Sequence, residues 1–262
     1  MTSSIRLSPT RWIRHLRYEW KHRGPVITSI IITVCVLMWL VEQIAYYADK
    51  NAFTGMVYRM AFIPALTASQ PWTFLTSLFM HAPGIDVWHI LCNMITLWLV
   101  APSLEKLLGH WQFLMLYLLS GLGGDAGTMV AARILDDPQS WLQSSFGASG
   151  AIFGVLGALM VTSSRTHLDL RQLIVLTAIN LVMPLFVPDI AWQAHIGGLF
   201  TGAGTSSMLV GTTAIRRVLN YRKRTIITMI IIFVVIAGVV LLSQNTSTLV
   251  TRLSGSPIVL DS

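Results

Sequence analysis

Residues 146–154 read FGASGAIFG, a serine held between glycines at the head of an apolar run. A helix built only to cross a membrane is better served there by leucine. The hydroxyl of Ser149 and the small residues around it therefore need a reason, and the rest of the chain supplies one.

The surroundings are a membrane protein. The 262-residue chain is 54% hydrophobic and only 11% charged, too apolar for an ordinary soluble domain and suited to a bundle of membrane helices. Seven stretches are long and apolar enough to span, at 26–46, 88–104, 111–132, 146–163, 171–187, 190–211 and 226–243. The fifth and sixth are parted only by a Pro188-Asp189 turn, as in adjacent antiparallel helices. Cys35 and Cys92 both lie inside apolar runs, which indicates neither a disulfide framework nor a zinc cluster.

The net charge of +7 is a topology signal. Six basic residues precede the first span, Lys106 falls between the second and third, Arg165 and Arg171 flank the fourth and fifth, and five more follow the sixth. Together 14 of the 18 Lys and Arg lie on one side, so the positive-inside rule puts the N-terminus in the cytoplasm and the C-terminal tail outside. That charge can also touch anionic lipid of the bilayer, and nucleic acid is not an expected partner. The expected organisation is a basic arm at 1–25, a six-helix core at 26–211, a basic linker at 212–225, a seventh span at 226–243 and a tail at 244–262. The first run reads as a signal anchor, since no small-x-small cleavage site follows it. The outer loop 47–87 holds Trp72, Phe74, Leu75, Leu78 and Phe79 and is expected to lie in the membrane interface. Glu42 is expected at the interface, and Glu105 with Lys106 in a solvated inner turn.

With this orientation spans two, four and six run the same way, and each carries polar groups near its outer end. They are His89 and Asn93 in WHILCN, Ser149 in GASG, and His195 in WQAHIGG. The fourth span covers 17 residues from Phe146 to Thr162. That is about 25 Å of helix against a hydrocarbon core of roughly 30 Å. Its start is then sunk below the outer face, where an irregular lead-in is tolerated only around a protein-lined, wet cavity. Gly150, Gly154 and Gly157 share one helical face, and Gly198 and Gly202 share the face of His195, so close packing of the two spans sets Ser149 beside His195. A neutral imidazole there can take the serine proton and make the hydroxyl a nucleophile. His89 and Asn93, four apart on one face, and the backbone N–H of Ser149 supply donors for an oxyanion.

Each feature also has a plainer reading. A lone serine can bond back to its own helix, glycine pairs pack helices of many kinds, and His81, His89 and His195 are enough histidines for zinc. Asp125, the one acid deep in a span, either orients His195 or serves as a structural partner for polar groups in GLGGDAGT, and the structural role is preferred because any buried acid needs a partner. A transporter is disfavoured by the lack of matching broken helices in two halves.

Taken together, HILCN, GASGAIFG and AHIGGLFTG resemble the rhomboid family of intramembrane serine proteases, in the family's order and over approximately residues 50–211. The resemblance implies an all-α polytopic bundle of six helices plus a seventh. It implies a Ser149–His195 dyad, an oxyanion site of His89, Asn93 and the Ser149 amide, and no cofactor or metal. It also implies transmembrane protein substrates, cleaved in or near their membrane segments within the lipid bilayer, and the expected location is a bacterial cell membrane. A substrate helix would enter beside the fifth span, which holds Asn180, Pro184 and Pro188, under a cap formed by Pro188–Gln193. One departure is Trp72-Thr73, where many members carry Trp-Arg. The alternative is a catalytically silent relative that binds membrane helices.

Overall fold

The apolar stretches fold into helices whose ends are set by identifiable residues. A computed structural model describes Arg14 and residues 17–84, 87–135, 138–166, 169–182, 191–211 and 219–244. Among these, α1 runs Val26–Ala48, α2 Lys50–Met60, α3 Thr73–Thr76, α4 Trp88–Leu108, α5 His110–Leu135, α6 Pro138–Leu142, α7 Ser149–Thr166, α8 Leu170–Val182, α9 Trp192–Val210 and α10 Tyr221–Ser243. The seven expected spans correspond to α1, α4, α5, α7, α8, α9 and α10. The protein is an all-α membrane helix bundle, with no β-strand beyond one antiparallel bridge between Phe62 and Ser145 among the described residues. The Pro188-Asp189 turn, Pro184 and most of the terminal arm, linker and tail lie outside the described residues.

Among the described residues, length and composition alone mark four of these seven helices, α1, α4, α5 and α10, as spans. α7 and α9 depart from that rule for a physical reason. Every residue from 150 to 159 is buried, so α7 meets protein rather than lipid on all sides and can be built from Gly, Ala and Ser. α9 packs along α7 and α5, which also spares it a lipid-facing composition over much of its surface. α10 is the opposite case. It leans on α5 and α9 and leaves Ile230, Val234, Leu241 and Leu242 exposed, as a lipid-facing helix should.

Two acids sit differently from expectation. Glu105 is fully buried rather than solvated, because it caps α1. Its Oε1 accepts from the Ile27 amide at 2.8 Å, and its Oε2 accepts from the Thr28 amide at 2.9 Å and the Thr28 hydroxyl at 2.7 Å. These are first-turn donors that a helix cannot satisfy itself. His110 Nδ1 lies 2.6 Å from Oε1, and its Nε2 donates to the Trp20 carbonyl at 3.0 Å. Lys106, one residue on, is exposed as expected. Glu42 is also fully buried rather than interfacial, and its Oε2 accepts the His81 amide at 2.9 Å. Next to it on α1, Trp39 Nε1 donates to the Ala82 carbonyl, and the Gln43 amide both donates to the Gly84 carbonyl and accepts its N–H. One face of α1 thus holds the 81–84 segment in place.

Candidate active site

The site is assembled at the N-terminal ends of α4, α7 and α9. The lead-in to α7 is fixed before the helix starts: Phe62 and Ser145 exchange backbone hydrogen bonds at 2.9 and 2.8 Å, and the Gly147 amide donates to the Ser77 carbonyl at 2.9 Å. Ser149 then begins α7, where the positive end of the helix dipole favours negative charge on its oxygen.

His195 enters from α9. Its Nε2 stands 3.0 Å from Ser149 Oγ, within hydrogen-bond reach. The imidazole is nearly buried and lies flat on Phe153, with ring centroids 4.2 Å apart and planes 8° from parallel. Phe153 is one turn below Ser149, so α7 supplies both the hydroxyl and the surface that orients the ring facing it. Nδ1 of His195 has no hydrogen-bond partner among the described residues.

Glycine makes the approach possible. A methyl added at Gly198 would overlap the carbonyl oxygen of Gly150, one at Gly202 the carbonyl of Gly154, and one at Gly157 the carbonyl of Leu199. Side-chain-free backbone on both helices is the condition for Ser149 and His195 to meet. All five glycines expected to pack α7 on α9 therefore lie in that seam.

The third helix brings His89 and Asn93. The amide of Ala82 donates to His89 Nδ1 at 3.4 Å, which leaves the ring proton on Nε2 as a donor. That Nε2 faces Gly147: a Cβ built there would stand 3.0 Å from it and 3.9 Å from Ser149 Oγ. Gly147 also has φ +133°, open to glycine and strained for any other residue. Asn93 is buried and donates from Nδ2 to the His89 carbonyl at 3.0 Å, which uses one of its two amide protons.

Comparison with known proteins decides what this arrangement belongs to. The family model of the Rhomboid domain matches residues 68–212, more than half of the chain. Rhomboid protease GluP of Bacillus subtilis is 31% identical over 183 residues, which is 68% of this chain and 34% of that relative. Putative rhomboid protease YdcA of the same organism is 31% identical over 186 residues, covering 68% of this chain and 85% of the relative. Rhomboid protease GlpG of Haemophilus influenzae is 28% identical over 187 residues, 67% of this chain and 86% of the relative. The chain belongs to the rhomboid family.

Within this rhomboid, Asp125 does not reach His195. It is buried, and its Oδ2 accepts from Ser77 Oγ at 3.4 Å, tying α5 to the outer loop. The partner is thus a loop hydroxyl rather than a group of the GLGGDAGT stretch. His81 and His89 have ring centroids 5.2 Å apart, and no three His, Cys, Asp or Glu side chains converge in metal-binding fashion among the described residues. Trp72 Nε1 donates to the Arg59 carbonyl at 2.9 Å, and Thr73, in the place of the family's usual Arg, is buried and bonds back to the Gln70 carbonyl at 2.7 Å. Leu78 of the same loop seats against Gly121 on α5, so the loop is partly packed on the bundle and partly exposed at Trp72 and Leu75. Asn180 donates to the Leu176 carbonyl of its own helix at 2.8 Å. Of the expected cap, only Ala191–Gln193 lies among the described residues.

Four contributors escaped the sequence reading: Gly147, Phe153, Ala82 and the glycines of α5. Gly127 of α5 lies against the Gln193 carbonyl, with a built Cβ at 2.7 Å, and a methyl on Gly197 would overlap the carbonyl of Gly123. The Gly123–Gly127 spacing carried that signal, because it is the same four-residue interval that marks Gly198 and Gly202.

Proposed function

We propose that this rhomboid is a serine endopeptidase that cuts transmembrane proteins in or near their membrane segments, with Ser149 as nucleophile and His195 as base. The observation that carries the reading is the 3.0 Å approach of His195 Nε2 to Ser149 Oγ, with Phe153 holding the ring. Nε2 takes the hydroxyl proton as Oγ attacks the scissile carbonyl carbon, and returns it to the leaving amine as the tetrahedral intermediate collapses to an acyl-enzyme. Water, deprotonated by the same nitrogen, then releases the new carboxylate. The oxyanion is held by His89 Nε2–H, the Ser149 amide at the head of α7, and the second amide proton of Asn93. No acid is needed behind His195, since Phe153 fixes the ring's orientation in place of a hydrogen bond to Nδ1.

The proposed frame is a multi-pass protein of a bacterial cell membrane, with the basic ends of the helices in the cytoplasm and Ser149 in the outer leaflet. Residues 26–211 form the protease core, and the seventh span is an addition to it. Serine attack requires extended backbone, so the favoured substrate is a single-pass helix with helix-destabilising residues near its outer end, entering beside α8. Labelling by a fluorophosphonate probe tests the nucleophile. Wild type is expected to label and Ser149→Ala not to label, whereas an unlabelled wild type that still retains membrane helices supports the silent, helix-binding alternative.

A further inference from the structure

At the end of the bundle opposite the serine, α4, α7 and α9 finish and α10 begins around a cavity of about 110 Å³. Leu108, Leu209 and Val210 form its apolar wall, while Arg165, Tyr221 and Arg224 supply its polar lining. Arg224 is only 8% exposed, yet its Nε has no hydrogen-bond partner among the described residues. Its guanidinium lies 5.3 Å from the centre of the Tyr221 ring, and the Tyr221 hydroxyl is already committed to the Leu108 carbonyl at 2.7 Å. Neither Arg165 nor Arg224 has an acidic partner among the described residues, and Glu105, the acid nearest in sequence to this wall, is consumed in capping α1. The carbonyl ends of three helices offset part of the positive charge, but none of them reaches Arg224 Nε.

A buried guanidinium without a counter-ion is costly, and two arginines from different helices converge on one cavity. A planar guanidinium fork matches phosphate oxygens better than any other side chain does. We propose that this cavity binds the phosphate of an anionic phospholipid and that the lipid clamps α10 to the core. A lipid rather than a free anion is indicated by the surroundings. The wall is leucine and valine, and the exposed Ile227 and Ile231 of α10, three and seven residues on from Arg224, share its helical face and offer a track for an acyl chain. This inference stands independently of the protease reading.

The test uses the purified full chain in detergent, with native mass spectrometry counting retained lipid. Dioleoyl phosphatidylglycerol is compared with dioleoyl phosphatidylcholine and with inorganic phosphate as competitor. Wild type is expected to retain one phosphatidylglycerol with on the order of tenfold preference over phosphatidylcholine, inorganic phosphate failing to displace it, and Arg224→Gln to lose that preference. Arg165→Gln, at an exposed position where a substitution costs little stability, is expected to weaken retention several-fold, and Arg222→Gln to leave it unchanged. Equal retention of both lipids, or wild-type retention by both Arg224→Gln and Arg165→Gln, overturns the site. Displacement by inorganic phosphate overturns the lipid as its source.

Discussion

Replacing Gly198 by alanine adds one methyl group where α9 crosses α7, and the structure fixes what that methyl meets. It overlaps the carbonyl oxygen of Gly150, so the two backbones must part by roughly 1–1.5 Å to restore ordinary carbon–oxygen contact. Gly150 follows Ser149 directly, and Gly198 is one turn beyond His195, so the displacement reaches the dyad almost undiluted. A 3.0 Å Ser149–His195 contact then opens past 4 Å, beyond hydrogen-bond reach. A misplacement of about 1 Å in a catalytic pair costs on the order of a hundredfold in rate, and overpacking a tight seam costs about 1–3 kcal/mol in stability. Gly204, on the same helix, has nothing within 4 Å of a built Cβ and serves as the control. The assay measures kcat/KM on a single-pass substrate and the thermal midpoint in one detergent for wild type, Gly198→Ala and Gly204→Ala. Gly198→Ala is expected to fall about a hundredfold in kcat/KM with a lowered midpoint, while Gly204→Ala tracks wild type. If Gly198→Ala stays within threefold of wild type at an unchanged midpoint, the close-approach reasoning is wrong.

Other outcomes follow from the same geometry. Gly147→Ala combines strain at φ +133° with a methyl 3.0 Å from His89 Nε2, so activity is expected to fall at least tenfold with a loss of only ~1–2 kcal/mol in stability, read from kinetics and thermal midpoint together. Glu105→Ala removes the cap of α1 and is expected to destabilise the fold by about 3–5 kcal/mol, whereas probe labelling of Ser149 at low temperature persists. His81 in the outer loop is pushed down to about 3 by burial, so between that value and the ordinary histidine value near 6.5 the unfolded chain binds the extra proton. Stability therefore falls as pH drops through this window, by up to ~1.4 kcal/mol per unit, and His81→Gln should flatten that part of a melting-temperature profile.

How much was legible in the sequence depended on whether a residue's partner announced itself locally. Ser149 and His195 were readable because the glycine intervals on their own helices fix which faces meet. Glu105 was not, because its partners Ile27 and Thr28 are nearly eighty positions away and nothing near Glu105 marks it as another helix's cap. Glu42 failed for the same reason: the amide it accepts belongs to His81, in a loop the pattern describes only as apolar. α7 was marked as a span by its length and apolar content, although a helix enclosed by protein carries less of the lipid-facing composition seen in α1 and α10. For Asp125 the sequence left two roles open with the structural one preferred, and Ser77 as its partner required the folded loop. Gly147 stood in the quoted motif from the start, but its positive φ and its place against His89 belong to the tertiary structure alone.

The most direct measurement of the central claim is cleavage of a single-pass membrane substrate by the purified protein in detergent, comparing wild type, Ser149→Ala and His195→Ala, with and without a chelator. A dyad requires that wild type alone cuts, at the same rate in chelator, and that both variants lose activity while keeping the wild-type melting profile. Equal cleavage by wild type and Ser149→Ala would contradict the account, and the hydroxyl would then be structural.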